Sequence, residues 1–400
     1  MKKIGKEYIY PVIAGCGLIG TCLGICVNVA GLFFTPIAAD LSIGRGSVSM
    51  TLTIYNLMQG LIGIIAARYL ERYGMKKMVI FSTVLQAGAT FLISFCHSIV
   101  PMYLLNGIRG FGSGMIGFAA VTMMINFWFN ESSALMTSLA MGFSGIAAAV
   151  LSPIISSLID GYGWRFAHMV CAVVILLFNL PAILLPVSLR PKELGLLPYG
   201  EEKEKTETEI HEYNASFLLI FLATAYGTLN SFVTAMPSHM SGFAQSRSLA
   251  QAGAMMVSAC MIANTSGKII LGWLMDAVGC QKGASLFIVL VTLATMSLYL
   301  SDSALILILS AAVFGLSYAV ATVSVSAVIR ELFGIGLYGK LYPKVSFITT
   351  IANALGTSLI GYIYDSASSY DPALLFLAGL LVISFVMLNG AYLLKGKRNS

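Results

Sequence analysis

Residues 267–276 read GKIILGWLMD and place a lysine, Lys268, about two helical turns before an aspartate, Asp276, inside an otherwise apolar stretch. A cation at membrane depth costs a few kcal/mol or more and marks a functional hypothesis by default. On a helix, Asn264, Thr265 and Gly272 fall at i−4, i−3 and i+4 of Lys268, so an amide, a hydroxyl and an ammonium share one face. That stripe suits an anion. The competing reading is a lysine whose stem snorkels to the cytoplasmic interface. Arg109 has Asn106 at i−3 and Ser113 at i+4, again one polar face. Tyr55 and Gln59, at i and i+4, and Tyr226 and Tyr318 are mid-depth groups able to bond a carboxylate, with core packing as the alternative for each. Lys344, after Pro343 near the start of a span, reads as an interfacial lysine.

The acids show the complementary pattern. None of the 17 Asp and Glu residues falls in the middle third of an apolar run. A cavity lined by base without acid favours an anion, and proton exchange against a cation through a membrane carboxylate has no candidate. The sequence has no HExxH and no GxSxG, and its histidines (97, 168, 211, 239) lie at run ends or in a polar stretch, which argues against an enzyme. The cysteines at 16, 22, 26, 96, 171, 260 and 280 show no CxxC or zinc spacing and read as free, buried thiols. No metal and no cofactor is implied. The Gly112–Gly114–Gly117 spacing imitates a dinucleotide loop, but it lies in an apolar helix with no preceding strand, where close helix packing is its use.

Composition sets the elements that position these residues. Of 400 residues 58% are hydrophobic and 10% charged, against about 25% charged in soluble domains. Such a chain requires a lipid bilayer around it. With about 20 apolar residues per crossing, the sequence divides into twelve spans near 8–35, 46–69, 77–96, 99–123, 134–158, 164–187, 214–239, 248–275, 281–300, 303–328, 338–364 and 370–394. The first run is too long for a signal peptide. One polar, acid-rich stretch, 188–213, separates six spans from six, which predicts an N-terminal bundle over 1–187, a cytoplasmic linker over 188–213 and a C-terminal bundle over 214–400. With the N-terminus inside, Arg45, Arg165 and Arg247 fall on outer loops and Arg109, Lys268 and Lys344 within spans. Every other Lys and Arg is then cytoplasmic, so the positive-inside rule places both termini in the cytoplasm. The net charge of +6 reflects topology and gives no reason to invoke nucleic acid.

The two halves also overlay at an offset of 205 residues. ARYLERYGMKK (67–77) falls on GWLMDAVGCQK (272–282), with Glu71 on Asp276, Gly74 on Gly279 and Lys77 on Lys282; Asp160 falls on Asp365, Gly110 on Gly315 and Tyr8 on Tyr213. Two parallel six-helix repeats leave this trace, and repeat interfaces are where transporters place substrate sites.

The acid-x-x-Gly-x-x-Lys loop after span two, its repeat after span eight, and RGFGSG (109–114) in span four resemble the major facilitator superfamily over essentially the whole chain. RPKELGLLPYG (190–200), YGWRFA (162–167) and GKIILGWLMD look like its oxalate:formate antiporter and monocarboxylate transporter branch. The resemblance implies an all-α membrane protein of twelve helices that moves a small organic anion, a mono- or dicarboxylate, by alternating access. Lys268 stands where the carboxylate families usually have a substrate-pairing arginine, and it keeps the charge without the bidentate fork. Asn264 stands where proton-coupled members often have an aspartate, which puts proton symport by that route in doubt and leaves exchange against a counter-anion open. Arginines at the place of Arg109 commonly bond carbonyls of a neighbouring helix, so both that role and anion contact stand. Glu71, Arg72, Gly74, Lys76, Asp276 and Gly279 would form the gating loops, the acids facing Arg72, Lys76 or a neighbouring helix N-terminus. Ala67 stands where the family usually has glycine, which predicts closer packing of the second loop, where Gly272 is kept. The expected protein is a monomer in the cell membrane. A carrier of neutral or amphipathic solutes, or a membrane sensor on a carrier fold, are the alternatives.

Overall fold

The computed structural model describes residues 5–130, 133–200 and 217–399. Among them the chain is helical almost throughout, and the one extended pairing is an isolated bridge between Phe129 and Tyr199. Eleven segments are long and apolar enough to cross a membrane. In hydrocarbon no water is at hand for a backbone N–H or C=O, so an apolar run satisfies its own backbone as helix. The segment Leu135–Leu184, of 50 residues, would be about 75 Å long, more than twice a ~30 Å hydrocarbon core. Gly163 breaks it with φ 83° and ψ 162°. The helices are therefore α1 (Lys6–Leu41), α2 (Arg45–Tyr73), α3 (Met75–Ile93), α4 (Ile99–Trp128), α5 (133–162), α6 (164–184), α7 (Phe217–Ser246), α8 (Ala250–Val278), α9 (Cys280–Leu300), α10 (Ala304–Gly334), α11 (Lys344–Ala367) and α12 (Asp371–Lys395). Several run past the spans expected from sequence: α1 continues to Leu41, α4 to Trp128 and α10 to Gly334. A span counted by hydropathy stops at the first polar residues, whereas a helix continues until a backbone break ends it.

The chain divides into two compact units. Met1–Ile43 and Ser47–Lys205 form the first, and Thr206–Ser400 with Gly44–Gly46 the second. This differs from the expected linker over 188–213, because residues 188–200 are built into the first unit. Val187 and Leu189 are buried, and Tyr199 N–H donates to Trp128 O at 2.8 Å while Asn130 N–H donates to Tyr199 O at 2.9 Å. Trp128 Nε1–H donates to Ser188 O at 2.9 Å, and Tyr8 Oη–H donates to Leu197 O at 3.0 Å. The segment is thus a strap sewn to the ends of α1 and α4. Residues 201–213 of the expected linker, with Tyr213, His211 and most of its acids, lie outside the described residues, as does Glu131.

The 205-residue offset holds in geometry. α2 and α8 begin at Arg45 and Ala250 and end at Tyr73 and Val278. Each passes into the next helix through one glycine of positive φ, Gly74 at 81° and Gly279 at 91°, a conformation that a side chain would strain. The contact of α2 with α4 repeats in α8 with α10: a Cβ on Gly110 would lie 2.4 Å from Tyr55 O, and one on Gly315 would lie 2.2 Å from Cys260 O. In both units the helices touch backbone to backbone at the same position.

At the opposite end from the chain termini, one arginine ties three loops in each unit. Arg165, at the start of α6, donates to Asp40 Oδ2 at 2.7 Å and to Cys96 O at 3.2 Å. Burial pushes the Cys96 thiol up, with Arg165 pulling it the other way. Arg247, between α7 and α8, donates to Asp302 Oδ1 at 2.5 Å, Asp371 Oδ1 at 2.6 Å and Tyr299 O at 3.2 Å. Within the second unit, Asp365 accepts from the backbone N–H groups of Arg45 and Gly46, each at 2.7 Å. Its repeat mate Asp160 is exposed.

Gly315→Val and Gly110→Val are expected to be overpacked by about 1–3 kcal/mol or more, because the facing atom is a backbone carbonyl that cannot rotate away. Gly272→Ala and Gly63→Ala, whose Cβ would meet nothing within 4 Å, should express as wild type. Fluorescence-detected gel filtration of heated detergent extracts checks this, and equal melting of all four variants would refute the packing argument.

Candidate functional site

Helix α8 presents two opposed faces. Cys260, Asn264 and Leu271 are buried, with Gly267 beside them. Ile262, Ile269 and Trp273 are exposed, Trp273 at 70%, as expected of a lipid-facing surface. The buried face lies on α10: a Cβ on Gly267 would come within 2.7 Å of Leu316 Cδ2 and 3.8 Å of Ala319 Cβ. That close approach fixes the rotation of α8 and so the direction of its polar residues.

Lys268 is half-buried at the margin of this face. Among the described residues it makes no ion pair and no side-chain hydrogen bond. One turn earlier, Asn264 is 3% exposed; its Nδ2 reaches only Met261 Sδ, at 3.8 Å, and its Oδ1 has no partner. A buried amide oxygen without a donor costs on the order of 1–3 kcal/mol. Tyr318 on α10 is half-buried. The offset brings it and Asn264 onto Ser113 and Gln59 of the first unit, and there Gln59 Nε2–H donates to Ser113 Oγ at 2.6 Å. In the first unit this α2–α4 pair closes on itself; in the second the corresponding pair leaves Asn264 Oδ1 open. The stripe of the second unit therefore holds an unpaired ammonium and an unpaired acceptor one helical turn apart.

The remaining site residues expected from sequence are placed differently. Tyr55 is fully buried and its hydroxyl donates to Cys22 O at 2.7 Å, which gives it a packing role within the first unit. The accepting carbonyl lies in the π-helical stretch Gly20–Asn28 of α1. Tyr226 is likewise buried and bonded to Ser324 Oγ, at a second π stretch, Val320–Ser324. Arg109 is 7% exposed and its Nη1–H donates to Asn106 Oδ1 at 2.8 Å; it lines a small cavity enclosed by α1, α2, α3, α4 and α6 of the first unit. Lys344 is exposed at the start of α11. His168, read from sequence as a residue at a span end, is buried in the wall of the Arg109 cavity.

The acidic loop residues part company. Glu71 does not face Arg72 or Lys76: its Oε1 accepts from Arg190 Nη2 at 2.7 Å. Arg190 belongs to the strap, and its guanidinium lies 4.6 Å over the Phe127 ring. Arg72 follows Glu71 directly and so points about 100° away around the helix; it stacks on Tyr73 instead, at 5.3 Å. Lys76 is exposed beyond the Gly74 turn. Asp276 is exposed and has no ion pair among the described residues. Gly272, expected to pack closely, has open space around its Cα. Arg190 is the partner of Glu71 that the sequence reading does not name; a basic residue directly after span six, on the side of the acid after span two, is the available signal.

The sequence profile of the Major Facilitator Superfamily matches residues 16–255 and 216–400, and the chain belongs to that superfamily. It is a multi-pass membrane carrier and not an enzyme. It resembles the monocarboxylate transporters: it is 25% identical over 372 residues to monocarboxylate transporter 13 of Rattus norvegicus, covering 92% of this chain and 82% of that one. It is 23% identical over 430 residues to monocarboxylate transporter 12 of Homo sapiens, covering 98% and 82%. Among solved structures, a mutant of the nucleoside transporter NupG superposes with a TM-score of 0.74 at 14% identity, over 97% of this chain and 100% of that one. A bacterial homolog of the human lysosomal transporter Spinster does so with a TM-score of 0.72 at 14% identity, over 98% of each. At these identities the structures establish the fold alone.

Glu71 and Arg190 are each about half exposed, so their pair should couple by no more than about 1 kcal/mol. Glu71→Gln and Arg190→Gln should therefore lower the melting temperature slightly and by similar amounts, and the double variant should be no worse than either. Asp276→Asn should leave it unchanged. Additive losses from the two strap variants would show that the pair is not coupled.

Proposed function

We propose that this protein carries a small organic anion, a mono- or dicarboxylate, by alternating access, with Lys268 as its charge partner. The observation that carries this reading is the ammonium of Lys268, half-buried on α8 with no acid to neutralise it. A carboxylate brought to it supplies that counter-charge, and the open Oδ1 of Asn264 receives a donor from the bound molecule or its water. The likeness to monocarboxylate transporters at 22–25% identity supports the anion class. Within the second unit, Tyr318 on α10 would set fit more than charge.

In this reading the carrier sits in the cell membrane with both termini cytoplasmic, an orientation that the distribution of Lys and Arg supports. Partners beyond the anion are a counter-anion or a proton, and the unit of function is the monomer. The loops carrying Glu71, Gly74, Asp276 and Gly279 bias which side of the membrane the stripe faces. Exchange is favoured over proton symport because Asn264 cannot titrate and the acids in α8 and α10, Asp276 and Glu331, stand at helix ends.

In proteoliposomes, Lys268→Gln should abolish uptake of the transported labelled carboxylate while the protein remains folded, and Lys268→Arg should keep part of it, since charge survives and only geometry changes. Normal uptake by the glutamine variant would hand the lysine to snorkelling and the function to a neutral solute.

Counter-anion inside the vesicle should accelerate uptake more than an inward proton gradient does, and Asn264→Asp should introduce a dependence on external pH that the parent lacks. Initial rates against pH at fixed anion concentration check this. A steep acid activation of the parent carrier would refute exchange.

A further inference from the structure

The Arg109 cavity lies wholly inside the first unit and has a volume of about 30 Å³. Its polar lining comes from Cys26, Thr51, Thr90, Asn106, Arg109 and His168, and among the described residues no Asp or Glu lines it. Arg109 is 7% exposed; its Nη1–H donates to Asn106 Oδ1 and its side chain also bonds the Cys26 sulfur, while its Nε–H is buried with no partner. The Tyr55 ring 5.7 Å from the guanidinium carbon adds a weak quadrupole and no charge. Asn106 Nδ2 is already engaged with Met102 O, and the hydroxyls of Thr51 and Thr90 with Val48 O and Gln86 O. His168 is held by Nδ1–H donating to Trp164 O at 3.0 Å, its ring 4.0 Å from that of Phe33.

A guanidinium is always charged, and a buried charge without a partner is strongly destabilising. What would neutralise it must be small: 30 Å³ holds one water-sized body and excludes a carboxylic acid with its carbon chain. We propose that this cavity binds a halide ion, chloride in ordinary salt, as the counter-ion of Arg109, at a site separate from the carboxylate stripe on α8. The unpaired Nε–H of Arg109 is the ion's donor, and the aromatic and aliphatic wall excludes the hydration shell of a larger anion. The inference does not depend on the substrate reading, since none of its residues lies in the second unit.

The test is equilibrium binding of ³⁶Cl⁻ to the purified, detergent-solubilised carrier at constant ionic strength, with gluconate replacing chloride. The expected result is saturable binding of about one chloride per chain, displaced by bromide and not by gluconate. Lys268→Gln should bind chloride as the parent does. Arg109→Gln, and Ala30→Leu, which fills the cavity from the α1 wall while keeping the arginine, should each weaken it at least about tenfold, as losing a charge-assisted hydrogen bond requires. If Arg109→Gln fails to fold, Ala30→Leu and the parent decide the matter. Absence of saturable chloride binding to the parent would mean that the cavity holds only water, and would overturn the proposal. Chloride binding that survives Ala30→Leu, or is lost in Lys268→Gln, would do the same.

Discussion

Hydrocarbon offers no hydrogen bonds, and this constraint decides what every polar side chain in the protein has to do. A serine or threonine within a helix answers it by bonding the carbonyl one turn back, as Thr90, Ser152, Thr228, Thr292 and Thr295 do. Longer groups answer it between helices, as Asn179 does by bonding both Thr21 and Thr83, or Asn230 by bonding Ser384. Against that background of satisfaction, the few groups left over carry information. Asn264 Oδ1 and Arg109 Nε are two of them, and each sits beside or on a cation with no acid near it.

The same constraint explains why glycine governs the packing. Without a hydrophobic drive between helices in lipid, contact depends on close approach. Gly110 and Gly315 let α4 and α10 reach a backbone carbonyl of α2 and α8, and Gly267 lets α8 settle on Leu316. These contacts fix helix rotation, and rotation decides whether Lys268 meets lipid or the polar margin of its helix. A charged residue and a residue without a side chain are thus one device: Gly267 sets the direction in which its neighbour Lys268 acts.

Much of this was legible in the sequence because the signals were long or repeated. Twelve apolar runs survive errors of several residues at each end, and the 205-residue offset is written in Glu71 and Asp276, Gly74 and Gly279, residues whose type is dictated by a turn. The failure was at 188–200, where a polar stretch between bundles reads as a linker. Its anchoring comes from Trp128, Tyr8 and Tyr199 meeting across 60 to 190 residues of sequence, which local composition cannot report. A polar residue announces that a partner exists but not which one: Tyr55, for which core packing was the alternative, bonds a carbonyl in the π stretch of α1, and Glu71, at the end of α2, bonds Arg190 rather than its own helix neighbours. His168 stands near the start of a span, and position along a span does not report which way α6 turns it, which is inward.

The arginine ties at the loop ends follow a different rule from the helix contacts. Glycine against carbonyl recurs at the same offset in both halves, between α2 and α4 and between α8 and α10. The ties do not recur that way. One half uses Arg165 at its third loop to hold the other two; the other uses Arg247 from its first loop. The glycine contacts are therefore bound to the repeat and the ties are not: each half closes its three loops with an arginine of its own, and losing one arginine would loosen the loops of one half while leaving those of the other fastened.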